Sequence, residues 1–270
     1  MGQSKKRSAF HDRYVRPVEY SVKKIKKPVR RYLYKRNLDP LRKQGVQIIH
    51  FIHIRKAGGS AVKSAVKKVN SELNGIHFEL HPHRITLKDI PTGDKVFFFL
   101  RDPVTRFTSA FWSRYRKGGP ADYIPWNWYE ERAFEIFRTP NELATALSSE
   151  NRVLRKKAIS AMRHMKHVNS FYRDWFHSES YLMSRLPDII FAGRTETLRD
   201  DFQHFTRKLG LEKQLILPCD MKSSNRSPKG ESRTLDKEAV KNIQAWYAED
   251  YVFIDLCRQA GKIIDHKSAF

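Results

Sequence analysis

The residues with the clearest capacity for chemistry run His53, Ile54, Arg55, Lys56, Ala57, Gly58, Gly59, Ser60. A cation followed closely by two glycines suits an anion. Glycine lets the backbone approach a phosphate or sulfate closely, and Lys56 adds a compact positive charge. An apolar run, Val46 to Ile52, precedes this stretch. Ala61, Val62, Ala65, Val66 and Val69 follow it at helical spacing, with Lys63, Lys67 and Lys68 between them. The pattern predicts a buried strand, a glycine-containing turn and a helix. A helix N-terminus presents unpaired N–H groups and the positive end of the macrodipole, so it favours anions. The order differs from the common phosphate loop G-x-x-x-x-G-K-[ST], in which Lys follows the last Gly. Here Lys56 precedes both glycines, and no Asp-rich magnesium partner is evident. The same residues also suit a βα turn whose glycines serve only close packing.

A second set begins at Lys95 to Leu100, whose continuous apolar run Val96, Phe97, Phe98, Phe99 and Leu100 predicts a strand buried on both faces. It ends in Arg101, Asp102, Pro103, Val104, Thr105, Arg106. Asp102 can cap a helix that Pro103 opens, with Phe107, Ala110, Phe111 and Arg114 at helical spacing. Arg101 at the strand end and Ser109 along the helix can hold a second anion between them. An ion pair of Arg101 with Asp102, or one made by Arg106, explains the turn equally well. A third set, His81, Pro82, His83 and Arg84, follows a short strand read over Ile76 to Leu80. Two histidines at a strand end suit a base, and α/β folds place ligands there. No third ligand follows at metal spacing, so no metal is expected.

The elements that must position these groups read as one α/β domain, a size that 270 residues permit. Ile189 to Ala192 predicts a further strand, closed by Gly193 and Arg194. Thr195 is expected to cap the next helix, whose Leu198, Phe202, Phe205 and Leu209 form an apolar stripe. Residues 130–168 read as helical. Arg152, Arg155, Lys156, Lys157, Arg163 and Lys166 there either face an acidic substrate or form a solvated basic face. Tyr123 to Trp128 is an aromatic loop, either an acceptor groove or a packed insertion. Leu217 to Glu231 reads as a polar, basic loop with the character of a lid. The last helices fall near Asp236 to Tyr247 and Asp250 to Gln259.

The net charge of +23 implies an anionic partner: a nucleotide, an acidic polysaccharide, nucleic acid or an anionic lipid surface. Residues 1–45 carry fifteen Lys and Arg against Asp12, Glu19 and Asp39. This arm reads as a solvated tail or as an electrostatic contact for a membrane or an anionic polymer. Residues 46–270 then form the catalytic unit. Cys219 and Cys257 form neither a metal cluster nor a disulfide framework, which favours ordinary thiols in a reducing compartment. No membrane-spanning run and no secretory segment is read from the sequence, so a cytoplasmic location is expected, with peripheral contact at the inner membrane face through the arm.

"HIRKAGGSAV" and "VFFFLRDPVTRFTSAF", in this order and separation, resemble the two nucleotide-binding motifs of sulfotransferases that use 3′-phosphoadenylyl sulfate (PAPS). The nearest likeness is to the carbohydrate, heparan sulfate 2-O-type branch. Arg55 stands where that family usually has Pro. His81-Pro82-His83 resembles the H-x-H in which a His serves as the branch's catalytic base. Residues 188–211 resemble the family's late strand and helix, and "NRSP" at 225–228 its cofactor-covering loop. The likeness spans roughly residues 46–260.

The resemblance implies a P-loop-NTPase-like three-layer α/β sandwich with a central, mostly parallel sheet flanked by helices. It implies PAPS as co-substrate, adenosine 3′,5′-bisphosphate (PAP) as product, and no metal. Lys56 and the backbone from Arg55 through Ala57, Gly58, Gly59, Ser60 and Ala61 would hold the 5′-phosphate. Arg101 and Ser109 would hold the 3′-phosphate, with Arg194 and Arg226 as further ligands. His83, with His81 second, would be the base toward a hydroxyl of a carbohydrate or glycolipid, which the positive charge favours as acidic. Two other readings stand beside this one. A P-loop-like kinase would need a magnesium carboxylate pair. A non-catalytic basic module would bind nucleic acid or anionic membrane in a salt-sensitive way.

Overall fold

Alternation along β3 (Lys95–Leu100) sets the layers of the molecule. Phe97 and Phe99 join one apolar cluster, and Val96, Phe98 and Leu100 join another on the opposite face. A strand with both faces apolar must be covered on both sides. In the computed structural model, which describes residues 38–69, 73, 75–119, 123–218 and 231–264, four strands form one sheet. β1 (Gln47–Ile52), β2 (Ile76–Leu80) and β4 (Ile189–Arg194) join β3 in the order β2-β1-β3-β4. All the pairings are parallel, so the sheet is entirely rather than mostly parallel.

The described helices with printed bounds are α1 (Gly59–Lys67), α2 (Pro103–Tyr115), α3 (Trp128–Ile136), α4 (Pro140–Thr145) and α5 (Arg152–His164). They continue with α6 (Arg173–Phe176), α7 (Glu179–Arg185), α8 (Leu198–Lys208), α9 (Lys237–Trp246) and α10 (Ala248–Gln259). Helices α1 and α8 cover one sheet face through Ala61, Val62, Ala65, Val66, Phe202 and Phe205. On the other face, Trp175, Phe176, Leu182, Phe253 and Cys257 bring in α6, α7 and α10. This is the three-layer α/β sandwich. A separate apolar cluster unites α2 to α5 with α9.

Chain breaks follow local chemistry. The helical reading of 130–168 divides into α3, α4 and α5. Thr139 caps α4 with Pro140 in its first turn, and Asn151 caps α5. Thr195 does not cap α8. Its hydroxyl donates to the Leu100 carbonyl at 2.9 Å, and Thr197 precedes the helix. Within the segment read as an arm, residues 38–43 are helical. Leu38 is buried, and Arg42 donates to Asp94 at 2.5 Å. Residues 1–37, Arg226 and Cys219 lie outside the described residues, as does the lid-like loop from 219 to 230. Cys257 is a buried free thiol, pushed up to about 12 by burial and so inert. Among the described residues no helix is long and apolar enough to cross a membrane.

The aromatic loop is pinned from within. Arg114 and Glu130 are fully buried and pair at 2.7 Å through both guanidinium arms. Arg114 also donates to the carbonyls of Ile124 and Pro125 at 3.3 and 3.1 Å. Glu130 accepts from the backbone N–H of Asn127 and of Lys166, each at 2.9 Å. Trp126 donates to the Arg114 carbonyl at 2.6 Å, whereas Tyr123 is 72% exposed. The loop is thus anchored through its backbone and Trp126, while Tyr123 and Trp128 stay exposed and Ile124 lines the cavity at the carboxyl ends of β1 and β3.

Removing one partner of such a pair strands a buried charge, at about 3–5 kcal/mol. Arg114→Ala is expected to lose stability of that order in urea denaturation. Arg114→Met combined with Glu130→Leu should recover most of it; a double variant no better than the single one would contradict the assignment.

Candidate active site

A cavity of about 760 Å³ opens beyond the carboxyl ends of β1 and β3. These are neighbouring strands whose successors lie on opposite sides of them in the sheet, β2 beside β1 and β4 beside β3, the place where open α/β sheets bind ligands. Five cations line it: Arg55, Lys56, Arg101, Arg199 and Arg233. Glu196 is the one carboxylate among the described lining residues. Gly58, Gly59, Ser60 and Ala61 line it as well, as do Ser109 and His83. Ala57 instead is buried in the core.

The turn after β1 takes its shape from three residues. Lys56 sits at φ 61 and Gly58 at φ 76, both in the left-handed region. Gly58 is the N-cap of α1, where no side chain accepts from the first-turn N–H groups and no acidic residue occupies the first turn. That end of the helix is therefore left for an outside anion. Gly59 is required for a different reason. A Cβ there would lie 2.1 Å from Cδ2 of His53, whose ring fills the space.

Arg101 holds this turn from the neighbouring strand. Its guanidinium donates to the Lys56 carbonyl at 3.3 Å and to the Thr105 hydroxyl at 3.1 Å. Its own N–H and carbonyl both bond the Tyr172 hydroxyl, at 2.8 and 2.5 Å. Asp102 caps α2 by accepting from Thr105 N–H at 3.0 Å. Arg106 plays no part in the cavity. It is buried, pairs with Asp250 and donates to the Ser170 carbonyl at 2.9 Å. Burial, together with Arg101, Arg116 and Arg233, lowers Lys56 to about 8. A group of cations that depress one another is relieved by an anion.

The two histidines of the H-x-H part company. His83 lines the cavity, and its Nδ1–H donates to the His53 carbonyl at 2.7 Å. A carbonyl can only accept, so the neutral ring keeps its lone pair on Nε2. Burial and the charges of Arg55, Lys63 and Lys56 lower it to about 4, against the raising effect of that hydrogen bond. His83 is therefore a neutral imidazole at pH 7 with a free basic nitrogen. His81, expected as the second base, is 1% exposed and is not among the lining residues. Its Nε2 meets Nδ1 of His50 at 2.8 Å, and Nε2 of His50 meets Asp94 at 3.0 Å. The chain turns between them, closed by the Ile85 N–H donating to the Pro82 carbonyl at 3.1 Å, and so residues two apart face different surroundings.

Arg194, expected among the nucleotide ligands, does not line the cavity either. Its N–H donates to Asp201 at 2.5 Å, and its guanidinium lies 3.9 Å from Glu196. The cavity is lined also by His53 and by residues that the sequence did not single out: Arg199, Arg233 and His167. His53 carried a signal, since it abuts the glycine turn. Arg199 lies within the late strand-and-helix segment 188–211 and Arg233 just past the lid-like loop, but only the fold brings them and His167 to one cavity. No group of three or more His, Cys, Asp or Glu among the described residues has the arrangement to hold a metal.

Residues 42–255 match the model of the sulfotransferase family. A search of curated proteins finds no match.

Burial lowers His53 to about 2, His83 to about 4 and His167 to about 3. The ordinary value near 6.5 applies in the unfolded chain, so below it the unfolded state binds more protons than the folded one. Stability should fall as pH drops from about 6.5 toward 4. Urea midpoints measured at pH 7 and pH 5 check this, with the pH 5 value lower and the difference smaller in His83→Gln. An equal or higher midpoint at pH 5 would show that these rings are not held neutral.

Proposed function

The chain belongs to the sulfotransferase family, and from that premise we propose that it moves a sulfuryl group from PAPS to a hydroxyl of a carbohydrate or glycolipid. The carrying observation is the cavity at the ends of β1 and β3, where five cations meet one described carboxylate beside an open helix N-terminus. Those groups fit a nucleotide with two separate phosphates.

In this reading the N–H groups from Ala57 to Ser60 hold the 5′-phosphate, and Lys56 stabilises the charge that develops on the bridging oxygen. Arg101 and Ser109 take the 3′-phosphate. Arg55, Arg199 and Arg233 add positive potential around it. Arg226 is retained as a covering ligand on the resemblance alone. His83 Nε2 takes the acceptor's proton as the new S–O bond forms. The old S–O bond breaks, and its electron pair leaves on the phosphate oxygen next to Lys56. Sulfuryl transfer spreads negative charge much as phosphoryl transfer does, so positioning and charge stabilisation carry the rate. The cationic rim and the net charge of +23 support an acidic glycan. The +12 of residues 1–45 supports a peripheral contact with an anionic, cytoplasmic membrane face.

PAP is expected to raise the melting temperature by several degrees at saturating concentration, and ATP with magnesium should do less. Lys56→Ala and Arg101→Ala should abolish that shift. His83→Asn should keep it while lowering transfer of labelled sulfate by about 10²–10⁴-fold. A larger shift with magnesium-ATP, or one that survives Lys56→Ala, would remove the reading.

A pH titration of PAP affinity gives a separate check. An anion favours the charged ammonium, so affinity should be steady from about 7, above the second phosphate ionisation near 6, to about 8. It should then decline about tenfold per pH unit above it until the bound-state value is reached. A flat affinity to pH 10 would mean that Lys56 does not touch the nucleotide.

A further inference from the structure

We propose that His167 is a further substrate-contacting residue, a neutral hydrogen-bond donor to an oxygen of the transferred sulfuryl group. The inference rests on the sulfuryl-transfer reading of the cavity.

His167 lines the same cavity as Lys56, Arg55 and His83, although more than 80 residues separate it from each of them in sequence. It sits at φ 66, in the left-handed region that non-glycine residues adopt uncommonly. The surroundings hold it there from both sides. Met165 and Val168 are fully buried. The N–H of Lys166 donates to Glu130, which is locked to Arg114. The carbonyl of Val168 accepts from the Tyr247 hydroxyl. His167 is therefore fixed at the cavity wall by the segments on either side of it.

The ring itself is incompletely satisfied. Nδ1 is buried with no hydrogen-bond partner. A stranded N–H is rarer in proteins than a stranded acceptor, so the proton belongs on Nε2. Nε2–H is then the group that His167 can offer a ligand. The charged and titratable groups that bear on the ring, in order, are Lys56, Arg55, Arg114 and His83. Together with burial they hold it neutral, lowered to about 3. The strongest of these is the leaving-group lysine, and the base is another. Because His167 shares one cavity wall with that lysine and that base, a ligand placed between them lies within the space its ring borders. A neutral donor there stabilises developing negative charge without competing with His83 for the acceptor's proton. No bond to His167 forms or breaks, and it transfers no proton.

The backbone provides an unusual fold control. Glycine adopts φ 66 without strain, so His167→Gly removes the ring while easing the chain. Asparagine tolerates the same region and restores a side-chain N–H. The experiment uses the full chain, PAP for binding, and ³⁵S-labelled PAPS with water and with chemically desulfated heparan as acceptors. His167→Gly should melt no lower than wild type, keep the wild-type PAP shift, and release or transfer sulfate about 100-fold more slowly. His167→Asn should recover at least about tenfold of that loss. Wild-type turnover in the Gly variant, or an Asn variant no faster than Gly, overturns the inference while leaving the sulfotransferase reading intact. A wild-type protein that neither binds PAP nor turns over PAPS overturns that reading and this inference with it.

Discussion

The buried contact between Arg106 and Asp250 is the constraint on which the rest of the site depends. It ties α2 to α10 across the sheet's open end. Asp250 also accepts from the Tyr172 N–H at 2.8 Å, and the Arg106 guanidinium lies 4.8 Å from the Tyr172 ring centre and 5.1 Å from that of Tyr247. Tyr172 in turn holds both backbone groups of Arg101, and Arg101 holds the carbonyl of Lys56. One buried cation thus fixes the two cations that matter at the surface of the cavity. Nε of Arg106 has no hydrogen-bond partner among the described residues, so the charge is held by its two terminal nitrogens and the two rings; breaking a buried pair is costly, and that cost resists any separation of α2 from α10.

Rigidity matters because the cavity gathers like charges. Arg55, Lys56, Arg101, Arg199 and Arg233 repel one another, and folding alone gives little return for bringing them together. Their assembly makes sense as preorganisation for an anion, in which the repulsion is relieved on binding. The same field acts on the imidazoles. His53, His83 and His167 are all kept neutral by burial beside positive charge. A neutral His83 with Nδ1 committed to a carbonyl is suited to accept a proton. His81, two residues earlier, is committed to His50 and Asp94 instead.

Much of the fold was legible because its strands are short apolar runs bounded by turn residues. Lys95–Leu100 and Ile76–Leu80 have the bounds the sequence implied: the first because a strand covered on both faces leaves a continuous apolar signature, the second because its apolar residues alternate with polar ones at strand period. The helical region from 130 to 168 was less legible. Periodicity reports the apolar face, but Thr139-Pro140 and Asn151 decide where the chain stops and restarts. Thr195 shows the same limit. A threonine after a strand suits a cap, yet a nearby carbonyl of β3 took its hydroxyl instead.

The sequence by itself determined the local devices: the Lys56-Ala57-Gly58-Gly59 turn, the Arg101-Asp102-Pro103 helix start, and the family to which both belong. Such motifs act over a few residues, so types and spacing are enough to specify them. Only the tertiary structure decided which histidine faces the cavity. It also decided that Arg106 serves the core and not the ligand, that Arg194 turns toward Glu196, and that Arg199, Arg233 and His167 join the site. Those outcomes depend on where distant segments return and on which partner each polar group meets there. Hydrogen bonding and burial act between neighbours in space, and no spacing along the chain records them.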